Sequence, residues 1–268
     1  MLMKPRLHVS NGLLKVARKH ELFPRLGCWI CNENAGVILH DISGNAFHAT
    51  YSGGTTNRWI AYPSRGYAVD YNGSSDSASI GIGPNLANKS FSIGGWVKRD
   101  VLATARTIFS QGTSSTNNGL HFNFLSDNTL ALNFWGNDLV SSSTFTDTTE
   151  YHFVVGTYNS VNNNRTLYYD GVEVGNGTAT ADYQGSGNTY IGNRNFSAVQ
   201  FWDGRISDVY IWDYELSLTE ISYLYNNPYL YFDSAIKQIR ETYFDLGAVS
   251  SVSGSASAAS HYYRMITI

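Results

Sequence analysis

Two stretches of this 268-residue chain are rich in side-chain oxygen. Asp41, Ser43 and Asn45 alternate along Asp-Ile-Ser-Gly-Asn, and Asn72 and Asp76 bracket Asn-Gly-Ser-Ser-Asp. Calcium takes about six to eight oxygens and mixes carboxylates with carbonyls, so such loops could hold that cation. The same residue types also close Asx turns, in which the side-chain oxygen accepts a backbone N–H two residues on. The sequence leaves both readings open. Cys28 and Cys31 form a Cys-x-x-Cys pair. A structural zinc site needs about four nitrogen or sulfur ligands. The chain has only these two cysteines, so they read as small buried hydrophobes. Trp59, Trp135 and Tyr168 are candidates for stacking on sugar rings where they are exposed, and for the core where they are not. There is no Gly-x-Ser-x-Gly elbow, phosphate loop or His-Glu-x-x-His, and the seven histidines are scattered. A non-enzymatic protein is expected.

The elements that must position these residues are mostly strands. GCWIC, AVDY, SASIGI, FSIGGWV, TIFSQ, HFNFLS, LALNFW, YHFVVGTY, TLYYDGVEV, TYIGN and ISDVYIW are short apolar runs broken by Gly, Asn, Asp and Ser. In LALNFW, Leu130, Leu132 and Phe134 fall on one face, with Ala131, Asn133 and Trp135 on the other. Asp170-Gly171 suits the positive φ angles of a tight hairpin turn, whereas Trp59 reads as a loop residue. One helix is expected in ELSLTEISYLY. Ser217 and Glu220 have capping-box spacing, Leu218, Ile221 and Leu224 recur at helical intervals, and Asn226, Asn227 and Pro228 stop it. A second short helix is expected in NGLLKVARKHELF, with Asn11 as N-cap. The fold class is therefore all-β, an antiparallel two-sheet sandwich with one short C-terminal helix and an arm at each end.

Composition agrees. The chain is 43% hydrophobic and only 15% charged, which excludes a disordered chain, and its 19 tyrosines against 5 prolines favour pleated surfaces. Residues 1–25 hold six basic residues and one acid, a net of +5, while residues 26–226 hold nine basic and seventeen acidic, a net of −8. The organisation expected is a basic arm over 1–24, a sandwich over 25–226 and a tail over 227–268. A basic arm on an acidic body can dock on a neighbour's acidic surface. Nucleic acid is not expected as a partner, because phosphate affinity rests on Lys and Arg and the body is acidic. No signal peptide or membrane-spanning run is read from the sequence.

The order of the motifs resembles laminin-G-like jelly-roll domains of the concanavalin A-like superfamily. GCWICNENAGVILHDISGNAFHAT resembles their opening, at Trp29, Asn32, Glu33, Asp41, Ser43, Gly44, Asn45 and His48. YAVDYNGSSDSASI is similar to the family's Phe-Asp-Gly-x-x-Asp strand and turn, at Tyr71, Asn72, Gly73 and Asp76, and FSIGGWVKRD to its Trp strand at Trp96. YHFVVGTYN, LYYDGVEVGNGTA, TYIGN and FWDGRISDVYIWDYELSLTEISYLY follow in family order, so the resemblance spans about Leu26 to Tyr225. It implies a two-sheet jelly roll that binds glycans or proteins, often with calcium. It also implies that Asp208 pairs with the first loop, although Ser207 stands where the family has the first acid of that motif. Related glucanases carry Glu-x-Asp-x-x-Glu on one strand, a string this chain lacks, and Asp213-Tyr214-Glu215 falls at the family's pre-helix turn. Asn227-Pro228 followed by aromatics, and the later YFDLGA, resemble endings of bacteriophage structural proteins. The expectation that follows is a virion accessory or capsid-decoration protein, assembled in the host cytoplasm. It would be lashed through residues 1–24 and 228–268 to the major capsid protein or to neighbouring copies, with a homo-oligomer left open. The alternative is a lectin or carbohydrate-binding module, which can coexist with the first on one particle if it adheres to cell-surface glycans.

Overall fold

The computed structural model describes residues 22–54, 58–62, 66–194, 196–228 and 230–231, together with the backbone of 8–10 and 13–15. Sheet I contains β4 (Ile38–Leu39), β5 (Ala49–Ser52), β8 (Ser77–Ile82), β10 (Arg106–Gly112), β11 (Gly119–Phe124), β12 (Thr129–Asn133), β13 (Asp138–Thr144) and β17 (Asn188–Ile191). Its spatial order is β13-β12-β11-β10-β17-β8-β5-β4. Sheet II contains β3 (Gly27–Trp29), β6 (Trp59–Tyr62), β7 (Gly66–Asn72), β9 (Phe91–Arg99), β14 (His152–Tyr158), β15 (Asn164–Tyr169), β16 (Val172–Thr178) and β18 (Asp203–Trp212). It runs β16-β15-β14-β9-β18-β7-β6, and β3 also pairs with β18. Every pairing is antiparallel.

Period-two alternation sets which side chains meet. Leu130, Leu132 and Phe134 point inward as expected and join Phe109, Phe122, Phe91, Val154, Tyr158 and Ile211 in the core between the sheets. Asp170 and Gly171 have φ of 51° and 78°, the pair of left-handed residues that a two-residue hairpin turn requires.

The outer face of sheet II carries a second apolar cluster. Trp96, Phe153, Val155, Tyr168, Tyr210 and Trp212 lie there beneath the helix α1 (Leu218–Asn226). Ser217 caps the helix in a complete capping box with Glu220, and Ile221 and Leu224 are its buried residues. Leu218 is 49% exposed, so the apolar stripe is narrower than the sequence suggests. The cluster extends past both ends of the 25–226 span. Phe23 and Tyr231 meet edge to face at 5.6 Å, and Tyr231 Oη and Trp212 Nε1 both donate to the Leu22 carbonyl at 2.7 Å.

Other sequence expectations need correction. Residues 8–10 and 13–15 form a two-stranded antiparallel ladder, β1 (His8–Ser10) and β2 (Leu13–Lys15), in place of the start of a short helix. Ser10 pairs with Leu13 at the near end of this ladder. Trp59 opens the edge strand β6 rather than lying in a loop. β12 ends at Asn133, leaving Trp135 on a turn. The remainder of the arm 1–21 and of the tail 232–268 lies outside the described residues.

Candidate functional site

The outer face of sheet I has no helix over it among the described residues, and it is polar. Cross-strand register places Asp138, Asn133, His121, Ser110, Tyr190, Ser79 and Thr50 in one row across seven adjacent strands. Residues directly opposite in an antiparallel pair share a face, so these side chains lie side by side, and Asn123 follows His121 on the same face. The two ends of the row are open, since Asp138 and Thr50 are exposed. Its middle is covered. His121 is 5% exposed, Asn133 2%, and Ser110 and Asn123 are fully buried.

The cover comes from the segment between β17 and β18 and from the β12–β13 turn. Ser110 Oγ donates to the Asn193 carbonyl at 2.6 Å, and Thr107 Oγ1 to Gln200 Oε1 at 3.0 Å. Arg194 and Gln200 exchange backbone bonds at 3.3 Å, and the Arg194 Nε and Nη2 donate to the Ala198 carbonyl at 3.1 and 2.7 Å. This brings Phe196 over the row, 6.1 Å from the His121 ring and 5.8 Å from Trp135, while Trp135 lies 6.0 Å from His121. The Arg194 guanidinium stands 5.5 Å from the Trp135 ring centre. Gly119 makes the approach possible. A Cβ there would lie 2.9 Å from the Phe196 ring and 3.2 Å from Trp135 Cβ.

Trp135 is held in an unusual conformation. It and Gly136 are the central residues of the turn closed by Phe134 N–H to the Asn137 carbonyl at 3.0 Å, with φ of 57° and 70°. Two positive φ values are the signature of the hairpin turn that favours Asn, Asp or Gly at its first central position, and a bulky residue there is strained. Asn137 fixes the turn from below through bonds to Asn117, Ala181, Thr180 and Arg165. A strained aromatic kept over a polar patch is the kind of outlier that points to a site.

The patch has spare hydrogen-bonding capacity. His121 Nδ1, Asn123 Nδ2, Asn133 Oδ1 and Asn193 Oδ1 are buried and have no hydrogen-bond partner among the described residues. Asn133 Nδ2 donates to Asn123 Oδ1 at 3.2 Å, so each of those amides is half used. Buried polar atoms left open in a folded protein call for an explanation such as water or a ligand. Burial, reinforced by the nearby Arg194 charge and partly offset by the bond to Gly119, pushes the His121 imidazole down to about 3, so the ring is neutral at physiological pH.

The residues singled out from the sequence fall in several places. Trp135 belongs to this face. Tyr168 is 6% exposed in the cluster beneath α1, and Trp59 packs against the main core at the far edge of sheet II, its Nε1 donating to the Gly36 carbonyl at 3.3 Å. The oxygens of the two loops hold the loops themselves. Asp41 Oδ1 accepts from the backbone N–H of Cys28 and Ser43, and its Oδ2 from Ser43 Oγ and the Phe47 N–H. Asn45 turns its amide nitrogen to the Arg25 and Leu26 carbonyls. Asn72 Oδ1 accepts three backbone N–H groups, from Ser74, Ser75 and Asp76, and Asp76 Oδ2 accepts the Asn72 N–H. Asp208, fully buried on β18, accepts from Ser207 Oγ. Among the described residues no group of three or more His, Cys, Asp or Glu converges where an ion could sit. Asp41 Oδ1 and Asn72 Oδ1 accept the N–H two residues on, the bond of an Asx turn. Cys28 and Cys31 are fully buried free thiols, and burial pushes both well above the usual thiol range. Sequence reasoning missed His121, Asn123, Asn133, Asn193, Arg194 and Phe196. The available signal was polar residues on the outward phase of otherwise apolar strands.

Residues 72–222 match the laminin-G-type family model of the concanavalin A-like lectin/glucanases superfamily. No curated protein matches the chain. Among solved structures, it is similar to domain 4 of AbnA, a GH43 extracellular arabinanase from Geobacillus stearothermophilus, in complex with arabinotriose. That likeness has 18% identity and a TM-score of 0.59 over 74% of this chain and 97% of that one. It is also similar to Trypanosoma rangeli sialidase in complex with sialic acid, at 15% identity and a TM-score of 0.55 over 76% of this chain. There the chain spans about a third of the other's length, 33%. At these identities the likeness is one of fold.

Proposed function

Because the chain belongs to the concanavalin A-like lectin/glucanases superfamily, we propose that its sandwich is a non-enzymatic carbohydrate-binding module that seats sugar on the outer face of sheet I. The observation that carries this is the set of uncommitted buried atoms on His121, Asn123, Asn133 and Asn193 beneath Trp135 and Phe196. Sugar recognition combines hydroxyls that both donate and accept with a weakly apolar ring face, and this patch offers polar groups below and aromatic rings above. Glycan-array screening followed by calorimetry tests it. Trp135→Ala should weaken any hit about tenfold, the loss of one aromatic contact with its desolvation. An array without hits would sink the reading.

A second, compatible reading is favoured by where the flanks of the body meet. Leu22, Phe23 and Tyr231 pack together on the outer face of sheet II, on the side of the sandwich away from the polar row. Segments leaving from there, including the basic N-terminal arm, would anchor the body with its sugar face turned outward. We propose a virion as the support, the sandwich being a decoration protein. Particles assembled with a chain lacking residues 1–21 should incorporate it poorly, and unchanged incorporation would refute the anchoring role.

A further inference from the structure

The polar row has a composition of donors and acceptors that selects among sugars, and this inference rests on the carbohydrate-binding reading above. Asn133 and Asn123 form an amide pair, with Asn133 Nδ2 donating to Asn123 Oδ1. Amide oxygen and nitrogen can exchange places by a flip, but either arrangement of the pair spends one donor and one acceptor. What remains without a partner is one NH2 group, with two N–H donors, and one amide oxygen, whichever way the two are turned. Asn193 adds a further open amide position. A neutral His121 imidazole carries a single N–H, and Nδ1 is the buried ring atom left without a partner. Every one of these groups is uncharged.

The arginines nearest the row spend most of their donors on protein groups, although the Arg194 charge still reaches the His121 ring. Arginine recognises carboxylates through a planar fork of donors. The Arg194 fork is turned onto the carbonyl of Ala198 through Nε and Nη2. Arg165, beneath the turn, donates to the Leu132 and Asn137 carbonyls and to Asn137 Oδ1. Arg106, on β10, is taken by the Gly73 and Phe201 carbonyls and by Asp203. At the open end of the row stands Asp138, whose carboxyl is pushed above the usual carboxylate range by partial burial. An acidic sugar entering would set acceptor-only oxygens against amide and imidazole acceptors and against that carboxyl group. A hydroxyl can donate to Asn133 Oδ1 and His121 Nδ1 and accept from Asn123 Nδ2 in the same site.

We infer that the covered row of Asn133, His121, Asn123 and Asn193 takes an uncharged segment of an oligosaccharide and discriminates against sugars carrying a carboxylate. Adjacent strands lie about 4.8 Å apart, so the stretch from Asn133 through His121 to Ser110 spans about 10 Å. The row runs on past Tyr190 and Ser79 to the exposed Thr50, so a longer chain can continue into solvent. Between them, Phe196 and the long Arg194–Gln200 backbone pair are what an incoming sugar must move.

The test is isothermal titration of the full chain with matched pairs of oligosaccharides, each neutral glycan set against its sialylated or uronic-acid counterpart. The expected result is binding of a neutral member at least tenfold tighter than its acidic counterpart. Asn193→Ala should weaken that binding about tenfold while leaving the unfolding midpoint unchanged or slightly raised, because the side-chain oxygen removed makes no bond within the protein. Its failure to fold is therefore not expected, and Asn133→Leu, with the same branching and number of side-chain heavy atoms, is the companion variant. Equal or tighter binding of the acidic members would overturn this inference while leaving carbohydrate binding intact. Absence of binding to either class would overturn both. Neutral-sugar binding that Asn193→Ala and Asn133→Leu both leave unchanged would place the sugar elsewhere and overturn the assignment of the row.

Discussion

Protonating His121 should destabilise the folded protein, and the size of the effect follows from the site. Its ring is buried to 5% exposure and faces the Arg194 charge, which together bring it from an ordinary value of 6.5 down to about 3. Above pH 7 the ring is neutral in both folded and unfolded chains and contributes no pH dependence. Below pH 6.5 the unfolded chain binds a proton that the folded chain refuses, so stability falls as pH falls, and the fall levels off near pH 3. At about 1.4 kcal/mol per pH unit, the loss is roughly 2 kcal/mol at pH 5. Urea unfolding of the wild type and of His121→Gln at a series of pH values between about 4 and 8 isolates this contribution, because the carboxylates titrate alike in both. The His121→Gln substitution costs stability near neutral pH, and that deficit should shrink by roughly 2 kcal/mol by pH 5. A deficit that stays constant across the range would mean that His121 titrates as freely in the fold as in the unfolded chain, and the buried, neutral ring on which the site is built would be refuted.

Trp135→Asn should relieve the positive φ at the turn, keeping stability within about 1 kcal/mol of wild type while sugar affinity drops about tenfold; a loss of about 3 kcal/mol or more in denaturant unfolding would make Trp135 a core residue instead. Ser217→Ala removes the side-chain half of the capping box and should destabilise the protein by about 1 kcal/mol, read from the urea midpoint, with sugar binding unchanged because α1 covers the opposite sheet. Calcium added at millimolar concentration after chelator treatment should leave the thermal midpoint where it was, since the oxygens of Asp41 and Asn72 are already accepting backbone N–H groups; a rise of several degrees would show that these loops rearrange to take the ion.

Much of the fold was written locally. TLYYDGVEV gave a hairpin because Asp170-Gly171 can take two positive φ angles, and Ser217 with Glu220 started the helix where the spacing placed it. β13 went unread because Asp138–Thr144 is polar and serine-rich, and it is held as a strand by its ladder to β12 rather than by its own propensity. The ligand face was legible only in part. Trp135 could be named as an aromatic on the outward phase, but Asn133, His121 and Ser110 come together through the register of three consecutive strands. Register is a property of the sheet, and nothing within HFNFLS or LALNFW states which residue will stand opposite which. The oxygen-rich loops could be located in the sequence but not assigned. Calcium loops and Asx turns share a composition, and they differ in whether the oxygens point at an ion or at their own backbone.

The two outer faces of the sandwich explain why one of them carries a site. Both sheets bury the same core on their inner sides, so each must resolve its outer side separately. Sheet II does so with apolar residues, and Trp96, Phe153 and Trp212 are sealed by α1 and by the flanks at Leu22, Phe23 and Tyr231. That apolar seal is suited to holding segments of chain. Sheet I puts asparagine, histidine and serine at the equivalent depth and covers them with a segment held both by its own bonds and by bonds to β10 below it. Buried amides with open positions are unfavourable in a purely structural layer, where apolar residues of the same shape would serve better. Under the proposed reading, their retention beneath a strained tryptophan is accounted for by a partner that completes their hydrogen bonds.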